Sequence, residues 1–137
     1  MNRIRGTITA VQSNGHLSLV DVGIGEDLFT ATLLETPEGS PLLKPGREVM
    51  LLFKETEVAL AKNLSGLISL RNRFAVTVRG ITRGEIMSEV ALDYRGNTLH
   101  SIVTTRAVDR LGLAPGDAVE ALVKSNEMSV AEVEDGL

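Results

Sequence analysis

The feature that most constrains this chain is an internal repeat at a spacing of seventy residues. Asn2-Arg3 falls on Asn72-Arg73, Pro45-Gly46 on Pro115-Gly116 and Lys54 on Lys124, all without a gap. Thr7 meets Thr77, Ser18 meets Ser88, Val20 meets Val90, Val49 meets Val119, Leu52 meets Leu122, Glu57 meets Glu127 and Ala61 meets Ala131. The matches recur at equivalent structural signals: a strand start, a Pro-Gly turn and a strand closed by lysine. Solenoid units run about 20–50 residues, so a period this long predicts tandem domains. The repeat divides the chain into a first domain over 1–61, a linker over 62–68, a second domain over 69–131 and an acidic tail over 132–137.

Units of about 65 residues bury only about 60% of their unfolded surface and are marginal alone. Each half is therefore expected to pack against the other half or against another copy of the chain. The hydrophobic content is 43%, with Phe29, Phe53, Phe74 and Tyr94 the only aromatics, which predicts an aliphatic core of Val, Leu, Ile and Ala. Absence of cysteine removes disulfides, thiolate ligands and cysteine nucleophiles, and His16 and His100 are too few for a cationic metal cluster. No apolar run approaches membrane-spanning length, and Met1 to Gly6 leads into a strand-like alternation rather than a signal-peptide core, so the expected compartment is the cytoplasm, with no membrane partner. A net charge of −4 argues against a general polyanion binder. It leaves a small anion open, because local donors decide such a site.

In the first half, Ile4 to Val11, Leu17 to Val22, Leu28 to Leu33, Val49 to Phe53 and Val58 to Leu60 read as strands, separated by Gly-, Asn- and Pro-bearing turns. Pro37, Pro41 and Pro45 forbid a regular helix between the third and fourth. The second half repeats the order with Phe74 to Ile81, Met87 to Leu92, Leu99 to Val103, Val119 to Lys124 and Met128 to Val130. Where the first half has its prolines, Thr104 to Leu111 predicts two turns of helix, with Thr104 or Thr105 as N-cap and Gly112 as the stop. Five strands per half suit a small barrel. The linker over 62–68 is too apolar for a free tether and is expected to lie against the surface.

No enzyme signature is present: no phosphate loop, no paired histidines, no nucleophile elbow. Glu26-Asp27 and Glu134-Asp135 read as solvated charge in a turn and in the tail. What remains is a set of hydrogen-bond donors at element ends: Ser69, Arg71 and Asn72 before one strand, Lys124, Ser125 and Asn126 after another. Charged donors, hydroxyls and free backbone amides are the mixture that a tetrahedral oxyanion requires.

Ser69-Leu70-Arg71-Asn72 before an apolar strand resembles the "S-A-R-N" start of molbindin-type (Mop, or TOBE) domains. So do Ser88-Glu89-Val90, Ile102-Val103-Thr104 leading to Val108-Asp109-Arg110-Leu111-Gly112-Leu113, and the close Val119-Glu120-Ala121-Leu122-Val123-Lys124-Ser125. Ser69 to Ala131 is similar to one complete domain of that kind, and the first half to a diverged copy. The resemblance implies an all-β fold with a short helix, built as two tandem OB-like five-stranded β-barrels. It also implies a homo-oligomer, dimer or trimer, that binds molybdate or tungstate between subunits, with no organic cofactor and no catalytic residue.

Carried onto this chain, the oxyanion donors implied are Ser69, Arg71, Lys124 and Ser125, with Asn72 and Thr104 as further candidates. Glu89 matches a glutamate supplied by a neighbouring subunit, whereas Ala107 stands where the family has a helix-opening serine. In the first half Leu19 replaces the glutamate, Met1 occupies the arginine position and Pro37 the helix serine, while Lys54 survives, marking a weaker or altered set. The function expected is binding, storage and homeostasis of molybdate or tungstate. The alternative is a stand-alone sensor module of a molybdate-responsive regulator or transporter. A base-stacking nucleic-acid barrel would need exposed aromatics along a basic groove, which the composition does not favour, so no nucleic-acid partner is expected.

Overall fold

In the computed structural model, the structure describes residues 1–133, and the expected acidic pair Glu134-Asp135 lies outside them. The first half forms β1 (Asn2–Asn14), β2 (Leu17–Ile24), β3 (Asp27–Leu33), β4 (Glu48–Phe53) and β5 (Ala59–Ala61). The second forms β6 (Asn72–Arg83), β7 (Met87–Tyr94), β8 (Asn97–Thr104), the helix α1 (Thr105–Leu111), β9 (Ala118–Val123) and β10 (Ser129–Glu132). A single 3-10 turn precedes each last strand, Glu55–Glu57 and Ser125–Glu127.

Alternation places every second side chain of a strand inward. In β1 these are Asn2, Ile4, Gly6 and Ile8, and in β6 Asn72, Phe74, Val76 and Val78. Each of these long strands serves two neighbours: its first half pairs with β4 or β9, its second with β2 or β7. A register shift marks the handover in both, between Ile8 and Ala10 and between Val78 and Gly80. A bulge there bends the strand, which lets a five-stranded sheet curl toward a barrel.

The sheets do not coincide with the halves of the chain. Their orders are β10-β4-β1-β2-β3 and β5-β9-β6-β7-β8, so each half lends its last strand to the other. Ala59 faces Leu122, and Ser129 faces Leu52. Five strands per half are present as expected from the sequence, but the fifth of each completes the opposite sheet. Two marginal units thereby become one interlocked body.

The core is shared as well. All four aromatics are buried in one cluster: Phe29 of the first half stacks on Phe74 of the second at 4.1 Å, Phe53 lies 5.4 Å from Phe74, and Tyr94 meets Phe74 edge-on at 5.1 Å. They serve as the junction of the two halves, and none is left as a surface platform for bases.

Two buried asparagines close the junction. Thr30 N–H donates to Asn72 Oδ1 at 2.8 Å and Asn72 Nδ2 donates to the Thr30 carbonyl at 2.9 Å. Its counterpart Asn2 does the same with His100, at 2.8 Å in both directions. Each side-chain amide acts as a one-residue strand, satisfying the otherwise unpaired edge of β3 or β8.

The linker is held at Lys62, which donates to the Leu111 and Gly112 carbonyls and to Asp117, and along it Leu67 is fully exposed whereas Leu64 and Ile68 are 38% and 37% exposed. Those carbonyls end α1, where a lysine is favoured by the helix dipole. Asp27 is not free solvated charge, since its Oδ2 accepts from Tyr94 Oη at 2.6 Å and from Arg95 Nε at 3.2 Å, tying the β2–β3 turn to the other half. The helix, by contrast, is capped as the sequence predicts: Thr104 Oγ1 accepts from Ala107 N–H at 3.1 Å, and Gly112 is left-handed with φ 58°.

Candidate functional site

The candidate donors are positioned by the end of the β6–β9 ladder. Asn72 faces Val123 in antiparallel register, so the next facing pair, one step beyond the last ladder position, is Arg71 and Lys124. Both side chains are exposed, and among the described residues neither makes an ion pair or a side-chain hydrogen bond. Like charges placed opposite one another on a sheet destabilise it unless something neutral or negative separates them. Elsewhere on the same two strands the chemistry is satisfied: Arg73 is held by Glu120 through two bonds of 2.6 and 2.7 Å.

Ser125 follows Lys124 and opens the 3-10 turn, which packs on β3 of the first half. Its Oγ accepts from Thr32 Oγ1 at 2.9 Å. The same edge of β3 receives Asn72 two residues earlier, at Thr30. The strand exchange and the asparagine clamp therefore fix Lys124, Ser125 and Arg71 beside Thr30 and Thr32. Neither threonine is suggested by sequence reasoning, because the motif holds no residue of the other half. A signal was available only in the topology.

Asn72 itself is fully buried, and both atoms of its side-chain amide are spent on Thr30. It acts as a positioning residue, setting where the ladder ends. Ser69 lies in the exposed segment two residues before Arg71.

The remaining candidates lie in other groups. Glu89 points outward from β7, with its Oε1 2.9 Å from His100 Nδ1, an ion-pair distance whose angles do not make a hydrogen bond. Thr104 caps α1 and lines a cleft of about 440 Å³ with Glu85, Ile86 and Arg106. Lys54 occupies, in the first half, the place that Lys124 holds in the second. Met1 faces Lys54 where Arg71 faces Lys124, and Glu55 stands in the place of Ser125, its carboxylate 2.6 Å from the Met1 amino nitrogen. A single chain thus gathers Arg71, Lys124 and Ser125, with Asn72 holding them, and leaves Glu89, Thr104 and Lys54 elsewhere.

The tandem barrel with exchanged strands, and lysines closing the fourth strand of each half, can be set beside known proteins. A family model for the TOBE domain matches residues 1–60 and again 68–130. The chain belongs to the TOBE-domain family. Among solved structures this TOBE pair is similar to the cytoplasmic molybdate-binding protein ModG, in a form with molybdate bound, at 32% identity and a TM-score of 0.89 over 96% of either chain. That likeness places it with the two-domain molbindins.

Curated relatives include the molybdenum-pterin-binding protein MopA of Rhodobacter capsulatus, 36% identical over 130 residues, 93% of this chain and 47% of MopA. The molybdenum transport protein ModE of Herbaspirillum seropedicae is 31% identical over 98% of this chain and 51% of its own. The molybdenum import ATP-binding protein ModC of Brucella abortus is 42% identical over 94 residues, 68% of this chain and 26% of its own. The TOBE pair therefore spans about half the length of MopA and ModE, and about a quarter of ModC.

Proposed function

We propose that this chain binds molybdate or tungstate as a tetrahedral dianion, without catalysis, and serves to store the oxyanion and buffer its level in the cytoplasm. The observation that carries the reading is the facing pair Arg71 and Lys124 at the open end of the β6–β9 ladder, unneutralised among the described residues and flanked by the Ser125 hydroxyl. A dianion lying between them removes their repulsion, and each cation gives a charge-assisted bond of about 1.5–3 kcal/mol. The molybdate-bound ModG structure, of nearly the same fold over nearly the whole chain, supports the choice of anion.

The donors are exposed in one chain, and a desolvated dianion needs a partner for every oxygen. The site is therefore completed by a second copy in a homo-oligomer, dimer or trimer, which brings the hydroxyl of Thr104 toward the Arg71–Lys124 end of its neighbour. Molybdate and tungstate exceed sulfate in size, so a rigid donor cage set to their radius leaves sulfate under-coordinated. The same donors would serve a sensor module working with a separate regulator or transporter. Molybdate-dependent capture of such a partner is the result that would move the reading there.

Isothermal titration is the test. Molybdate and tungstate give saturable heat while sulfate gives far less; no heat with either metal oxyanion overturns the assignment.

A further inference from the structure

The first half offers a copy of the same backbone frame, which allows side-chain chemistry to be isolated. Lys54 and Lys124 have nearly identical dihedrals, φ −74°, ψ 146° against φ −67°, ψ 145°. Each is followed by the same 3-10 turn, closed by Glu57 N–H to Lys54 O and by Glu127 N–H to Lys124 O, both 3.0 Å. The second bond of each turn, Val58 to Glu55 and Met128 to Ser125, is 3.4 Å in both. Each turn packs on the edge strand of the opposite half, the first on β8 and the second on β3. The asparagine clamps, Asn2 on His100 and Asn72 on Thr30, are equivalent as well.

The side chains around this frame are not equivalent. Ser125 becomes Glu55, Thr32 becomes Ile102, and Leu19 becomes Glu89, which sits against His100. Around Arg71 and Lys124 there are two cations and hydroxyls. At Lys54 the Met1 amino nitrogen and the Glu55 carboxylate lie 2.6 Å apart. A carboxylate within about 4 Å of a dianion is strongly repelled wherever water is excluded, and Ile102 offers no donor to offset it.

Resting on the oxyanion reading above, we infer that Glu55 is a specificity-determining residue: its carboxylate bars tetrahedral dianions from the Lys54 frame and confines them to the Arg71–Lys124 frame. The two halves then divide the work. One supplies the anion-binding edge, and the other supplies an edge where the carboxylate of Glu55 stands in the place of the Ser125 hydroxyl.

The test is molybdate titration of the full chain by calorimetry and native mass spectrometry, with circular dichroism to confirm folding of each variant. The wild type shows one class of oxyanion. Glu55→Ser raises the ratio of oxyanion to chain by adding a second, weaker class, and Lys54→Ala in that background removes the added class. Ser125→Glu, which transplants the barring carboxylate, lowers affinity at the original class by about a hundredfold or more. An oxyanion ratio unchanged by Glu55→Ser in a folded protein overturns the inference, as does a wild type that already fills two equal classes. Absence of uptake by the wild type is a separate result, which sinks the oxyanion reading itself.

Discussion

The two ends of the molecule, one where Asn72 clamps Thr30 and one where Asn2 clamps His100, share backbone, turn and clamp but not charge. At the first, a guanidinium and an ammonium face each other beside a serine. At the second, a methionine faces the lysine beside a glutamate that is already paired. The comparison separates what holds the fold from what creates a site. Asparagine is kept at both ends because each β3 or β8 edge must be closed whether or not anything binds. Of the two ends, only the first carries the arginine and the serine.

The largest expected effect breaks the comparison at its root. Because β5 and β10 are exchanged, residues 1–61 and 69–137 produced separately each lack the strand that finishes their sheet. Neither fragment should give a cooperative thermal transition by circular dichroism, and mixing the two should restore one.

Next come the clamps. Asn72→Leu strands the part-buried N–H and carbonyl of Thr30 and should cost about 1–2 kcal/mol in urea unfolding. Asn2→Leu should cost a similar amount through His100. Only the first should also weaken molybdate binding, since only that clamp places the Arg71–Lys124 pair. Loss of binding in both would mean that the two ends are not distinct.

Lys124→Ala and Arg71→Ala each remove one charge-assisted bond of about 1.5–3 kcal/mol, a loss of roughly tenfold to a hundredfold in affinity by titration. Ser125→Ala removes a neutral donor and should cost less, on the order of tenfold or below.

The smallest effects concern stability alone. Tyr94→Phe deletes the bond to Asp27 and should cost about 1 kcal/mol. Asp27 is held below the usual carboxylate value of 3.8 first by Tyr94 Oη, Asp117 below 3.8 first by Lys62, and Glu120 below 4.5 first by Arg73. A carboxylate whose folded pKa is depressed contributes stability above its unfolded value and loses it as pH falls through the folded one. The unfolding midpoint should therefore be steady above about pH 5 and fall as acid is added below about pH 4.5. Tyr94→Phe should flatten that fall, because it removes the leading cause of the Asp27 shift.

Strand order, the capped helix after Thr104 and the repeat itself were legible in the sequence, since alternation, Pro-Gly turns and capping residues act locally. The exchange of β5 and β10 was not. A short apolar strand such as Ala59–Ala61 fits either sheet equally well by pattern, and only three-dimensional closure selects the partner. For the same reason Thr30 and Thr32 were invisible as neighbours of Ser125, and Asn72 reads as a donor when its amide is in fact spent on backbone. Asp27 looked solvated because its partner, Tyr94, lies in the other half. Leu67 runs the other way: an apolar side chain that one chain leaves fully exposed. Glu55, by contrast, could have been found by reading the repeat from the Lys124-Ser125 motif back by seventy residues.

The measurement that bears most directly on the account is anomalous diffraction at a molybdenum absorption edge from crystals grown with molybdate. A molybdenum peak is expected bounded by Arg71, Lys124 and Ser125, completed by a second copy of the chain, and none beside Lys54 and Glu55. Equal peaks at both ends, or molybdenum bound away from Arg71 and Lys124, would contradict it.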